Sequence, residues 1–350
     1  MAEERELKNP KTIHNDHHVK KLDDLPDHVF LHILSFLDTK SLIRTSALRK
    51  GWRTLWKDTL TLNFHCSDLP GYIQHADNLL LSLRRRAAAL PTTVRFYFKA
   101  TNSLAVLSLV MRHYDVVLPG PQLQDLSVYA QVDGADFFII AGHAIGDLLK
   151  KSSLETLRLS RWIFRAPASP EFISLTRLEL SACRFHGGGS GGDEQDATTT
   201  TATTGSATVH VCFANFPSLK CLKLLRCRWS GRVEVWAPQV LDLEIWNPSS
   251  CFEIGKLSAP KVESFTFSGY VPRRYLDDDD DDGEISYGLP SLDRASLRLE
   301  RLARAFVAFL RCVRNATSLD LRFDRVPLRK SDGAVETIRC SAWTNQAVGE

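Results

Sequence analysis

Residues 219–227 read Leu219-Lys220-Cys221-Leu222-Lys223-Leu224-Leu225-Arg226-Cys227, and this stretch decides the architecture of most of the chain. Leu222 and Leu224 flank the charged Lys223, the period-two alternation of a strand with one buried face. Leu219 precedes Leu222 by three residues, so the unit is apolar-x-x-apolar-x-apolar. The same spacing recurs at Leu123/Leu126/Val128, Leu154/Leu157/Leu159, Leu175/Leu178/Leu180, Val240/Leu243/Ile245, Val262/Phe265/Phe267, Leu292/Ala295/Leu297 and Ala316/Leu319/Leu321. Leucine supplies 48 of the 350 residues, enough to carry this pattern along most of the chain.

Two wide gaps in the series have visible causes. Gly187 to Thr208 is a Gly/Thr/Ser-rich stretch between the third and fourth units, and Asp277 to Asp282 is an aspartate run between the sixth and seventh. With these set aside as insertions, over 187–208 and 277–283, the period is about 21 to 24 residues, the range of leucine-rich repeats. Each unit is a short strand followed by a turn and a helical or irregular return. One unit cannot bury its own apolar face, so the units are expected to stack into a solenoid with parallel strands on its concave side. Two units extend to Cys183 and Cys227, where such repeats turn the chain off the strand. Trp162, Tyr270 and Leu302 hold that position elsewhere, so the solenoid is expected to be irregular.

The central residues of the strands face outward. In chain order they are read as Ser127, Arg158, Glu179, Lys223, Glu244, Thr266, Arg298 and Asp320, and their charges nearly alternate. On neighbouring parallel strands opposite charges pair with each other, so the row serves either as a structural ladder or as a set of direct partner contacts. Both readings disfavour a single-sign basic pocket for a polyanion. A protein surface is the expected ligand, with Arg158, Glu179, Lys223, Glu244 and Arg298 as candidate contacts and an exposed Trp246 as a candidate anchor.

Composition narrows the functional class. The chain is 44% apolar and 24% charged with a net charge of +3, which excludes a disordered or collagenous protein. No apolar run approaches the roughly 20 residues of a membrane-spanning helix, and the polar N-terminus has no secretory apolar core. An intracellular protein is expected, in the nucleus or the cytoplasm. Its eight cysteines form no CxxC pair and have no histidine at zinc spacing, so reduced thiols and no metal are expected. Gly187-x-Gly189-x-x-Gly192 spells a dinucleotide fingerprint, but no helix start follows it. There is no GxSxG, Walker lysine or HExxH, hence no catalytic residue and no cofactor. The basic cluster Arg84-Arg85-Arg86 lacks a reading helix, and no nucleic-acid partner is expected.

The N-terminal part reads as helices. Asp23-Asp24-Leu25-Pro26-Asp27 is a helix start with acids and proline in the first turn. Leu25, Val29, Ile33, Leu34 and Leu37 follow at helical spacing and predict one apolar face. Thr39 is placed to cap a second helix carrying Leu42 and Ile43. Leu48, Trp52, Leu55 and Trp56 predict a third, with Arg49, Lys50, Arg53 and Lys57 outside. Three helices in so few residues bury little surface on their own and call for a partner.

Leu25-Pro26-Asp27, Ile33-Leu34-Ser35-Phe36-Leu37, Thr45-Ser46 and Trp52-Arg53-Thr54-Leu55-Trp56 closely resemble the F-box of plant F-box/leucine-rich-repeat proteins. The likeness covers about 40 residues in sequence motif, and the repeats extend it to most of the chain. It departs from the pattern at Arg49 and Gly51, where the family usually has serine and often arginine. The resemblance implies an α/β protein: a small three-helix F-box followed by an irregular leucine-rich-repeat solenoid. By this reading residues 1–22 are a flexible tail, 23–64 the F-box, 65–120 linking helices and irregular first repeats, 121–326 the repeats and 327–350 a tail without the pattern. The implied function is substrate recognition within an SCF ubiquitin ligase. The F-box would dock on the adaptor Skp1 and through it on cullin, while the repeats hold the protein to be ubiquitylated. Leu25, Pro26, Ile33, Leu34 and Leu42 would form the Skp1-contacting surface, with the module's own core as the other reading of each Leu and Ile, and Trp52 and Trp56 would pack internally. In that machine the chain is an adaptor and not an enzyme. A ligase-independent protein-interaction scaffold is the alternative.

Overall fold

The repeated alternation builds, in a computed structural model, one sheet of eleven strands: β1 (Thr61–Cys66), β2 (Thr93–Lys99), β3 (Asp125–Gln131), β4 (Thr156–Ser160), β5 (Arg177–Ser181), β6 (Cys221–Leu225), β7 (Asp242–Asn247), β8 (Ser264–Gly269), β9 (Arg294–Leu299), β10 (Ser318–Phe323) and β11 (Thr337–Cys340). The structure describes residues 25–48, 50–66, 81, 91–99, 122–131, 139–140, 153–164, 173–185, 208–229, 232–247, 253–270, 287–299, 309–310, 312–323 and 337–340. The expected tail over 1–22, the aspartate insertion, Arg49 and residues 187–207 of the first insertion lie outside these. Thr208 opens a strand.

The eleven strands neighbour one another strictly in chain order. All the pairings are parallel except the last, between β10 and β11. The class is therefore α/β with a mostly parallel sheet and few helices. Parallel neighbours require a crossover connection. The returns were expected to be helical or irregular, but several are short strands. Ile139–Ile140, Trp162–Phe164, Arg184–Phe185 and Arg228–Trp229 form one small parallel sheet. Thr208–Cys212, Arg232–Trp236, Glu253–Ser258 and Tyr287–Gly288 form another. Thr-Val-His-Val-Cys and Arg-Val-Glu-Val-Trp carry their own period-two, β-branched pattern, which favours strand over helix.

The apolar positions of the eight units all lie in the core except Leu321, which is partly buried against it. Each such buried Val, Leu, Ile or Phe contributes about 1.5–3 kcal/mol relative to exposure. The sheet also begins earlier than residue 121. β1 and β2 insert Leu62, Phe64, Val94, Phe96 and Phe98 into the same core, with Phe64 stacked on Phe96 at 4.9 Å. Thr93–Lys99 is thus a strand of this sheet, within the span read as linking helices and irregular first repeats. At the other end β11 falls within the residues read as a tail. Its antiparallel direction breaks the repeat and covers the edge that β10 would otherwise expose.

Three strand ends take a left-handed turn on non-glycine residues: Arg161, Ala182 and Arg226, at φ 63°, 51° and 54°. Each turn aims the next residue, Trp162, Cys183 or Cys227, into the core. The Cys183 thiol donates to the Leu159 carbonyl at 3.6 Å and the Cys227 thiol to that of Leu180 at 3.3 Å, each one repeat back. Burial pushes Cys183 up to about 12 and Cys227 well above the ordinary thiol range. Through these bonds the buried thiols tie neighbouring repeats together.

Residues 25–58 form α1 (Asp27–Leu34), α2 (Thr39–Arg44) and 3-10 turns at Thr45–Ala47, Lys50–Trp52 and Leu55–Asp58. The expected third helix is replaced by these turns. Gly51 stands inside that span and costs a helix about 1 kcal/mol relative to alanine. The cap of α2 also differs from expectation. Asp38, not Thr39, accepts from the Ser41 N–H at 3.0 Å. Burial works to raise the Asp38 carboxyl, but the hydrogen bonds from Ser41 and Lys40 outweigh it and hold the carboxyl below its ordinary value.

Candidate interaction surfaces

α1 is apolar on two sides. Phe30, Leu34 and the following Leu37 turn inward, with Phe30 against Trp52 at 4.5 Å between ring centroids. Leu34 and Leu42 are 2% and 0% exposed, so both are core residues of the helical segment. The outward row holds Leu25, Val29 and Ile33, with Ile33 41% exposed and Pro26 exposed at the start of the helix. Phe36 and Leu48, at 73% and 72%, are the most exposed large apolar side chains of this segment. Neither belongs to the expected contact set. Trp56 is buried and donates its indole N–H to the Arg53 carbonyl at 3.1 Å, and Trp52 is partly buried against the core.

The helical segment is joined to the sheet by Asn63 of β1, which is 6% exposed. Its amide donates to the carbonyls of Ser35 and Leu37 at 2.7 and 3.1 Å. These carbonyls follow α1 and would otherwise be left without an intrahelical donor. Nothing in the spacing marked Asn63, because it occupies the outward position of a strand that was itself missed.

The second surface is the outward face of the eleven-stranded sheet. One row across it runs Asn63, Arg95, Ser127, Arg158, Glu179, Lys223, Glu244, Thr266, Ser296 and Asp320. Arg298 is not in this row. Ser296 pairs with Thr266 and Asp320, whereas Arg298 pairs with Ser268 and Arg322 two residues further along. In the spacing of that unit the residue between Ala295 and Leu297 is Ser296, so Arg298 belongs to the same row as Trp246. Trp246 is also less exposed than expected. Its ring is partly buried, with the Arg226 guanidinium 4.0 Å from its centroid.

The charges in the central row form local pairs. Arg158 donates from Nη1 to both Asp125 oxygens at 2.8 Å and approaches Glu179 through Nε at 3.6 Å. Lys223 donates to Glu244 at 2.5 Å. The Lys223 ammonium is held above its ordinary range by that hydrogen bond, against burial. Beside this row lies an aromatic ladder that sequence reasoning passed over. His65 and Tyr97 stack at 4.6 Å, and Tyr97 and Tyr129 at 5.1 Å, on β1, β2 and β3. The alternation that places Leu126 and Val128 inward is the signal that would have placed Tyr129 outward with Ser127.

Among the described residues no helix is long and apolar enough to cross a membrane, and no three His, Cys, Asp or Glu residues are grouped to hold a metal ion.

A short helical segment with exposed apolar side chains is joined to a mostly parallel repeat sheet. Comparison with known proteins assigns the first part: residues 22–62 match the F-box domain. The chain is 22% identical over 264 residues to an F-box/LRR-repeat protein of Arabidopsis thaliana, covering 73% of this chain and 53% of the relative. A second such protein of the same plant is 28% identical over 176 residues, covering 49% of this chain and 52% of the relative. A third is 44% identical over 58 residues, which is 17% of this chain and 12% of the relative. The chain thus spans about half the length of the first two relatives and an eighth of the third. It carries an F-box over residues 22–62 and resembles plant F-box/leucine-rich-repeat proteins.

Proposed function

We propose that this chain is the substrate-recognition adaptor of an SCF ubiquitin ligase, in which the F-box docks on a Skp1-like adaptor and through it on cullin, while the sheet face holds a protein for ubiquitination. The observation that carries the reading is the second apolar face of the F-box. Ile33, Phe36 and Leu48 stay exposed although the segment has already built its core from Phe30, Leu34, Leu42 and Trp56. Large exposed apolar side chains on so small a module are the mark of a partner surface.

On this reading Leu25, Pro26 and Ile33, together with Phe36 and Leu48, meet the adaptor. Leu34 and Leu42 support them from within. The sheet is the concave wall of an irregular leucine-rich-repeat solenoid, and the candidate target contacts lie on it. The chain is non-catalytic and contributes proximity and orientation, which alone can supply several kcal/mol toward a reaction performed by other subunits. It acts inside the cell, in the nucleus or the cytoplasm. Mixing the purified chain with a Skp1-like protein tests the reading. A stable one-to-one complex is the expected result, and two separate species at micromolar concentration would refute it.

A further inference from the structure

The central row of the sheet face alternates in sign, but the next outward row along the strands does not. From β5 to β10 it runs Ser181, Leu225, Trp246, Ser268, Arg298 and Arg322. The left-handed turns at its border add Arg161 and Arg226. Among the described residues neither this row nor those turns hold an Asp or Glu. The acids of the face stand at least two residues earlier on their strands, and those of the central row are already engaged: Glu244 by Lys223, Glu179 by Arg158 and Asp320 by Arg322. The border where the strands end therefore presents cations and no anion of its own.

Arg226 is the cation that this geometry holds in place. Its backbone N–H donates to the Trp246 carbonyl at 2.6 Å, and its guanidinium lies 4.0 Å from the centroid of the Trp246 ring. One residue of β7 thus anchors both its main chain and its side chain. Arg226 is exposed, and among the described residues no carboxylate pairs with it. A guanidinium over an aromatic ring still presents its N–H donors at its own edge, in the fork that a carboxylate accepts with two oxygens. Beside it Leu225 and Trp246 stand in register on neighbouring strands, each half-buried, with the small Ser181 and Ser268 on either side. The pair offers an apolar contact directly next to the fork.

We propose that Arg226, Trp246 and Leu225 form a contact site for an acidic side chain of the protein partner, with the Asp or Glu carboxylate paired to the Arg226 guanidinium and a neighbouring apolar group resting on Leu225 and Trp246. Charge complementarity selects this occupant, because the border carries cations only and a single fork matches a single carboxylate. Glu244, two residues before Trp246 on the same face, opposes a more highly charged anion. Holding the guanidinium on the ring before the partner arrives lowers the ordering cost of the contact. This inference rests on the reading of the sheet face as the target-binding surface, and it names the chemistry that the target must present.

The test is selection of a genetically encoded random peptide library on the intact chain, followed by binding titrations of the enriched peptides to wild type, Arg226→Gln and Tyr129→Leu. The expected result is enrichment of peptides that share an Asp or Glu, with at least about tenfold weaker binding to wild type when that residue is changed to its amide. Arg226→Gln should weaken binding by a similar factor with unchanged melting, and the two changes together should cost little more than either one. Because the peptide-side change is read on the wild-type chain, the test holds even if a variant melts early. Peptides without a shared acid, or an amide change that weakens wild type and Arg226→Gln equally, would overturn this site; loss of the same peptides on Tyr129→Leu would then leave the sheet face as a binding surface. Peptides that bind all face variants equally, or no enrichment at all, would overturn both.

Discussion

Thr39 at the start of α2 and Asn63 on β1 hold each other across the junction between the helical segment and the sheet: the Thr39 hydroxyl donates to the Asn63 carbonyl at 2.9 Å, and both residues are buried. With the two bonds from the Asn63 amide, this one strand position fixes both helices. Asn63→Ala leaves the carbonyls of Ser35 and Leu37 without their donor and should destabilise the chain by about 2 kcal/mol. Thr39→Val should cost about 1 kcal/mol. The Thr39 hydroxyl bonds the main-chain carbonyl of Asn63, which Asn63→Ala keeps, so the two costs should nearly add in the double variant. Denaturant titrations of the three variants measure this, and a loss well short of the sum would contradict it.

The charge pairs on the sheet face make a second prediction. Lys223→Glu places three acids on β5, β6 and β7 in direct register. These side chains are about a third exposed, so solvent limits the effect to about 1 kcal/mol. Adding Glu244→Lys restores an opposite-charge pair and should recover most of the loss. If the single variant keeps its melting temperature but loses its partner, and the second substitution restores nothing, the row is a contact surface and not a ladder.

A third prediction concerns Gly269 at the end of β8, whose φ of 126° lies where only glycine is unstrained. A Cβ there would lie 1.8 Å from the Asn247 carbonyl oxygen, so backbone must move to admit it. Gly269→Ala should therefore cost at least about 2 kcal/mol, whereas alanine at Gly288, which has open space, should be tolerated. Comparable melting of the two variants would contradict this.

How far the sequence carried can be argued from particular residues. The spacing of Leu175, Leu178 and Leu180, and of its counterparts, located the strands of eight units, because a buried face with period two leaves few alternatives. β1 and β2 escaped because Phe64, Phe96 and Phe98 do in them what leucine does in the later units. The left-handed turns at Arg161, Ala182 and Arg226 carry no glycine to announce them. On α1 the helical period was plain, but α1 is apolar on two sides, and spacing alone does not say whether the Ile33 row or the Phe30–Leu34 row faces inward. Burial of Leu34 and Leu42, and exposure of Phe36 and Leu48, follow from packing against Trp52, Trp56 and β1, which are distant in sequence. Arg298 was placed one outward position too early, a shift of two residues that keeps the face but changes the row.

The central claim is that the outward apolar face of the F-box docks on a Skp1-like adaptor. The most direct measurement is the affinity of that adaptor for the chain carrying Ile33→Asp and Phe36→Asp, read by calorimetry, with melting recorded alongside. Both positions are exposed, at 41% and 73%, so the charges should leave the fold intact. The account predicts binding weakened by at least about a hundredfold with unchanged melting. Undiminished affinity of the double variant would contradict it.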